Sequence, residues 1–404
     1  MRRRSRGLGT TAAPARATSA SRLRCGLSVL LVLASLRAGA DTPDARAERI
    51  VADYFQRSGS PGLSVSVGWC DRLVWSRGFG FADIEQQVRV DPATTRFRIG
   101  SVAKPMTALA LVMLAGNNRV DLDADVRRYV PAFPKKEHDF TVRQLAGHLA
   151  GIRHYAGKDE VYGRKHYATV MESLEIFADD PLIAVPGAEW KYSSYGYNLL
   201  SAVIESAAGE PFLAYLSESV LLPVGMTSTV PDRLESIVPH RGRYYLRRDG
   251  SLYNEPEVDN SNKWASGGLL STTDDLVRFG LAHFDDRLVT EEMRQLLWTE
   301  LKTTAGTGTG YGIGWRIVVD EAGHTWLGHG GGSIGGTTQF WLFPDNQLVI
   351  AAVGNLTDLD YSDLIPRLRT NFVEGLEQAP RGPCGSQESA RGETRPRPNQ
   401  RVSR

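Results

Sequence analysis

Two blocks of alternating residues, separated by more than half the chain, constrain its fold more than any other feature. On the N-terminal side "GLSVSVGWC" (62–70) and "RLVWSRGFGFAD" (72–83) alternate with period two around a turn at Cys70 to Arg72, the pattern of half-buried strands. The same period returns in "GIGWRIVVD" (312–320), "TTQFWLFP" (337–344) and "QLVIAAVGN" (347–355). A sheet with an apolar face must bury it against another layer, so the two blocks are expected to share one sheet. From Ser101 to about Phe284 the chain reads mainly as helices and loops, with helical runs at Val142 to Leu149, Tyr197 to Ala208 and Asp274 to Phe284, the last opened by the cap-rich "STTDD". Terminal helices are expected over Asp44 to Arg57 and near Tyr361 to Glu377. The expected class is α/β (α+β): an antiparallel sheet built from N- and C-terminal segments, flanked by helices, with an inserted, mostly helical region. In domain terms this is a single domain, 41–378, with a sheet subdomain (41–100 plus 305–378) and a helical subdomain (101–304).

The ends differ from this core. The apolar run "CGLSVLLVLASL" follows an arginine-rich stretch and precedes "AGA", the order of a secretory signal cleaved after Ala40. Its 12 residues are too few to span a bilayer comfortably, so no integral span is expected once it is removed. The long acid-free leader also suits a mitochondrial transit peptide, the alternative to export to the periplasm or medium. Residues 379–404 are rich in Pro, Gly, Arg and Ser and are expected to form a disordered basic tail. Charge is segregated: residues 1–40 carry +8 and residues 379–404 carry +4, so a formal total of +1 leaves −11 on residues 41–378. Such a core is a poor partner for nucleic acid. Beyond the leader Cys70 and Cys384 remain, enough for one disulfide in an exported protein and too few for a metal cluster. His148 and His154 read as structural, and neither a metal nor a cofactor is expected.

Three stretches carry chemistry. "FRIGSVAKPMTALALVML" sets Ser101 at the mouth of an apolar helical run with Lys104 three residues on, which places both on one face. Pro105 is compatible only with a first turn and fixes the helix start nearby. On these residues alone Ser101 is either an N-cap or a nucleophile. "PGAEWKYSSYGY" places Tyr192 in a serine-rich loop before a helix, and "GHGGGSIGG" sets His329 ahead of three glycines between strand-like segments. Taken singly, Tyr192 reads equally well as an aromatic anchor beside Trp190 and Tyr195, and the glycines as a loose turn.

Taken together, in this order, they resemble the serine β-lactamase and penicillin-binding protein superfamily, on the side of class C β-lactamases, DD-peptidases and related esterases. Within it the likeness is to the mitochondrial serine β-lactamase-like branch and its bacterial relatives. It runs from about Pro61 to Asn355 and includes "GHLAGIRHY" and "VDNSNKWASGGLLSTTDDLVRFG". The resemblance implies Ser101 as nucleophile, Lys104 as the lysine of Ser-x-x-Lys, Tyr192 as the tyrosine of Tyr-x-Asn and His329 as the basic residue before Gly330 and Gly331. It implies an oxyanion hole made by the backbone N–H groups of Ser101 and Gly332. The reaction class is then acyl transfer through an acyl-Ser101 ester, with Lys104 or a Tyr192 phenolate taking the serine proton. Two departures stand out: Ser194 replaces the amide of Tyr-x-Asn, and His329 replaces a permanently charged lysine. Ser194, Gly330 and Gly331 are the expected substrate contacts. Amide or peptide hydrolysis is therefore expected first, small esters second and β-lactam turnover third, on a small-molecule or peptide substrate. The rival is a scaffold or filament-forming protein of the same fold with little catalysis, which leaves self-association open. The chain is short between Tyr155 and Asp180 for that branch, which weakens the rival. The loops 153–184 and 241–263 would shape the pocket without a readable code.

Overall fold

A computed structural model describes residues 42–377 and Cys384. The expected leader lies outside the described residues, as does the expected tail apart from that cysteine. Helix α1 (Pro43–Ser58) opens on Thr42, whose side chain accepts from the Ala45 amide, and stops at Gly59 in the left-handed region. Strands β1 (Gly62–Trp69) and β2 (Arg72–Asp83) form a hairpin, followed by the short β3 (Val88–Arg89) and β4 (Phe97–Arg98). The chain then enters α2 (Ala103–Gly116), which is apolar on nearly every side and buried accordingly. The inserted region continues through α3 (Val142–Ala146), α4 (Lys158–Val161), α5 (Ser194–Ala208), the two-residue β5 (Val230–Pro231), the hairpin β6 (Tyr245–Arg248) and β7 (Ser251–Asn254), β8 (Leu269–Ser271) and α6 (Thr273–Leu281). Strands β9 (Arg316–Val319), β10 (Thr325–Ser333), β11 (Gly336–Phe343) and β12 (Leu348–Gly354) precede the final helix α7 (Leu364–Glu377).

The seven-stranded sheet runs β3-β2-β1-β12-β11-β10-β9. Its central joint is the antiparallel pairing of β1 with β12, Leu63 opposite Gly354 and Trp69 opposite Leu348, which unites the two ends of the described chain. Strand β12 shows why the sheet lies between two layers. Leu348, Ile350 and Ala352 pack with Ala47 and Val51 of α1 and Leu368 and Phe372 of α7, while Val349, Ala351 and Val353 join the core of α2, α5 and α6. All seven residues of β12 are buried, so it cannot alternate polar with apolar as an outer strand does.

Three departures from the sequence expectation bear on the site. The helix expected over Val142 to Leu149 stops at Ala146, where Gly147 ends it and His148 turns to a φ of 63°. Helix α5 begins three residues earlier than the apolar pattern suggests, because Ser193 caps it by accepting from the Gly196 amide. The glycine run after Leu327, for which a loose turn was the simple reading, is strand β10, paired with β11 from Leu327–Leu342 to Ser333–Gly336. A disulfide joins Cys70, in the β1–β2 turn, to Cys384, with Cα atoms 5.6 Å apart.

Candidate active site

Strand β4 pairs with β8, Phe97 opposite Ser271 and Arg98 opposite Leu270, and delivers the chain into a tight turn at Gly100–Val102 before α2 begins. Ser101 lies in that turn. The residue at the cap position of α2 is Val102, with no side-chain bond to the helix, so the Ser101 hydroxyl is not spent as a cap. It accepts instead from Lys104 Nζ at 3.1 Å and from the Tyr192 hydroxyl at 2.7 Å. Lys104 is fully buried, and its nitrogen also reaches the Ser194 hydroxyl at 3.2 Å and the Ser266 carbonyl at 2.7 Å. Burial, with the Arg316 guanidinium adding to it, holds the Lys104 pKa well below the ordinary lysine value.

Tyr192 stands at the mouth of α5. Two histidines hold this corner: His148 Nδ1 accepts from the Ser193 amide at 3.2 Å and His154 Nδ1 from the Ser194 amide at 3.1 Å. Those acceptor roles fix both rings in the neutral Nε2–H tautomer. Burial, reinforced by the Lys104 charge, pushes His154 down to about 4 and His148 well below its usual value. The His148 ring lies 4.4 Å from that of Tyr192 and 4.8 Å from that of Tyr311, centroid to centroid. Burial raises the Tyr192 pKa, and the bond to Ser101 only partly offsets it, so Tyr192 is a phenol at neutral pH.

His329 comes to the same corner with its ring turned inward. It is 1% exposed; its Nδ1 donates to the Gly330 carbonyl at 2.6 Å, leaving Nε2 to accept from the Tyr311 hydroxyl at 3.0 Å. Burial, then the Lys104 charge, takes its pKa down to about 3. A neutral ring with both nitrogens engaged offers no cation to a substrate carboxylate. Ser194 is 3% exposed, with its hydroxyl accepting from Lys104. Gly331 is the glycine of this run that the Ser101 turn requires. A Cβ there would collide with the Ile99 carbonyl and stand 3.3 Å from the Ser101 amide nitrogen, so only glycine lets β10 lie against the Ser101 turn. At the next residue, Gly332, a Cβ would meet open space. A Cβ on Gly100, the residue before Ser101, would run into the Gly332 backbone, so the two segments lie against each other.

Three neighbours escaped the sequence reading. Arg316, an exposed residue at the start of β9, acts electrostatically on Lys104, Tyr192, His329 and Tyr311. Tyr155 meets the Ser194 and Ser266 hydroxyls, and Tyr311 fills the space between His148 and His329. None has a spacing signal; each is brought in by the fold. Among the described residues no group of three or more His, Cys, Asp or Glu side chains is arranged to hold a metal, and no single helix is long and apolar enough to cross a membrane.

The family model described as Beta-lactamase matches residues 47–370. The mitochondrial serine beta-lactamase-like protein LACTB of Homo sapiens is 33% identical over an alignment of 293 residues, which takes in 55% of this chain and 53% of the relative, so the match spans about half of that protein. Among solved structures, the octameric penicillin-binding protein homologue from Pyrococcus abyssi superposes with a TM-score of 0.70 at 25% identity, covering 82% of this chain and 77% of its own. The D-amino acid amidase from Ochrobactrum anthropi SV3 shares the fold, with a TM-score of 0.70 at 22% identity over 83% of this chain and 98% of its own.

Proposed function

The chain belongs to the beta-lactamase family, and on that premise we propose that it is a serine hydrolase working through an acyl-Ser101 ester. The observation that carries the reading is a serine oxygen held 3.1 Å from a buried lysine nitrogen and 2.7 Å from a phenol. An unaided hydroxyl is a poor nucleophile and needs a group to take its proton as it attacks. The lowered Lys104 pKa supports the neutral amine as that group. The raised Tyr192 pKa argues against a phenolate and supports proton delivery to the leaving group instead. Ser101 Oγ attacks the carbonyl carbon while its proton passes to Lys104. The oxyanion that forms is met by the amide N–H groups of Ser101 and Gly332. Tyr192 protonates the departing group and is reloaded from the Lys104 ammonium, the two being held on the same serine oxygen. Water then attacks the ester by the reverse route.

The order of substrates remains amides or peptides first, small esters second and β-lactams third. Arg316 refines it: its permanent charge beside the site supports substrates with a free carboxylate near the scissile bond, a task the buried His329 is not placed to do. Gly330 and Gly331 act through backbone, lining the approach to Gly332. The Cys70–Cys384 bridge supports an oxidising compartment and hence export; the mitochondrial human relative supports the alternative address. The octameric homologue supports self-association, to be read by light scattering across a concentration series.

The test is intact-protein mass spectrometry after exposure to a fluorophosphonate and, separately, to a penicillin, with Ser101→Ala as control. A single adduct, lost in the variant, is expected from the fluorophosphonate. No adduct on well-folded protein would count against the acyl-Ser101 reading and favour the scaffold rival.

A further inference from the structure

Three residues before Ser101 the chain carries an arginine that scarcely reaches solvent. Arg98 is 5% exposed and its partner Asp232 2%. Its Nε donates to Asp232 Oδ2 at 2.7 Å, its other arm donates to the Ile334 carbonyl at 2.9 Å, and the guanidinium lies 4.1 Å over the Tyr244 ring. Asn260 donates to the same Asp232 oxygen at 2.7 Å. Ile334 sits in the turn between β10 and β11, two residues beyond Gly332. That turn is gripped from below as well: Gly335 has a φ of 72° and a Cβ on it would run into Tyr244, while its amide donates to Thr357 Oγ1 at 2.9 Å.

A buried ion pair is weak evidence for stability, because taking both charges out of water offsets most of their attraction. What this one supplies is geometry. The two expected oxyanion donors belong to different elements, Ser101 to the turn after β4 and Gly332 to β10. Arg98, rooted in β4 and bonded to the turn that follows β10, links the two. The planar guanidinium holds two directions at once, which an ammonium does not. Asp232 and Asn260 set the plane of the fork.

We propose that Arg98, oriented by Asp232, is a positioning residue for the oxyanion hole, holding the Gly332 amide in register with that of Ser101. The proposal rests on the acyl-Ser101 reading. A misplaced oxyanion donor slows the chemical step without altering encounter with the reagent. The test is saturation kinetics of a fluorophosphonate, separating the maximal inactivation rate from the half-saturating concentration. In Arg98→Lys and Asp232→Asn the rate is expected to fall by about 10- to 100-fold, below the full loss of a donor, with the half-saturating concentration little changed. Should these unfold, Asn260→Ala removes one bond to Asp232 and is expected to show the same split at smaller size. Asp275→Asn, which disturbs a buried carboxylate bonded to Ser228 and Thr229, is expected to lower the melting temperature and leave the rate intact. Folded Arg98 or Asn260 variants with the wild-type rate, or a rate that tracks melting temperature through Asp275→Asn as well, would overturn the proposal alone. A wild-type protein left unlabelled at Ser101 would overturn the acyl-serine reading and this proposal with it.

Discussion

Lys104 sits where a lysine is costly to charge, wholly buried with two serine hydroxyls and a backbone carbonyl around its nitrogen. If its amine is the base, activity is lost as pH falls through its pKa, because protonation removes the lone pair. Since burial and Arg316 lower that pKa, kcat/KM is expected to reach its plateau well below pH ~10.4, where an ordinary lysine would put it. Lys104→Arg, which stays charged, should cut turnover by about 10²- to 10⁴-fold; near-normal rates would remove Lys104 from the base role. Arg316→Ala should raise KM for a carboxylate-bearing peptide by roughly 10-fold or more while a neutral ester keeps its plateau rate. The same change should move the pH profile alkaline, since the Lys104 pKa loses one of its two depressing causes. Equal effects on both substrates would refute a carboxylate contact. At this scale Ser101 and Lys104 were legible because three-residue spacing at a helix start is local geometry. The burial of Ser194 and the inward turn of His329 were not, because they depend on Lys104 and on Tyr311, and the latter is close to His329 only in the fold.

Strand β10 shows how composition misleads about an element. Four glycines in five residues look like a turn, yet the ladder to β11 runs straight through them. At Gly331 the missing side chain answers a demand from another element, the Ser101 turn pressed against it at Ile99, and at Gly328 one from the neighbouring strand, at the Phe340 carbonyl. Gly331→Ala should therefore cost about 1–3 kcal/mol by overpacking and slow fluorophosphonate labelling by at least about 10-fold by moving the Ser101 turn off β10. Gly332→Ala, whose Cβ meets open space, should keep the wild-type melting temperature. Thermal melts of the two variants side by side check this, and equal melts would sink the close-contact argument. The same dependence on distant partners explains the element ends. The start of α5 was hidden because Ser193, read as loop, is its cap, whereas α1 and the β1–β2 hairpin were legible because cap, period and turn all lie within the segment.

For the whole molecule, the joining of sequence-distant blocks into one sheet followed from their shared period, whereas the division of polar groups between interior and surface did not. That division has a thermodynamic consequence. His148, His154, His283 and His329 all have pKa values lowered chiefly by burial, to about 4 for His154 and His283 and about 3 for His329. In the unfolded chain each returns to about 6.5. Between those limits the unfolded state binds protons that the folded state refuses, so stability rises with pH, by up to about 1.4 kcal/mol per pH unit for each such group. Lys263, lowered to about 8 by burial, and Lys104 extend the same slope upward toward the unfolded lysine value. Above about pH 10 the sign reverses: tyrosines held up by burial, Tyr155 at about 12 among them, keep protons that the unfolded chain gives up. The melting temperature is therefore expected to climb steeply from pH 4.5 to 7, more gently to about pH 9, and to fall beyond 10. Calorimetry across that range checks it. A melting temperature flat between pH 4.5 and 7 would mean that these histidines are charged in the folded protein, and the neutral imidazoles assigned around Tyr192 would have to be withdrawn.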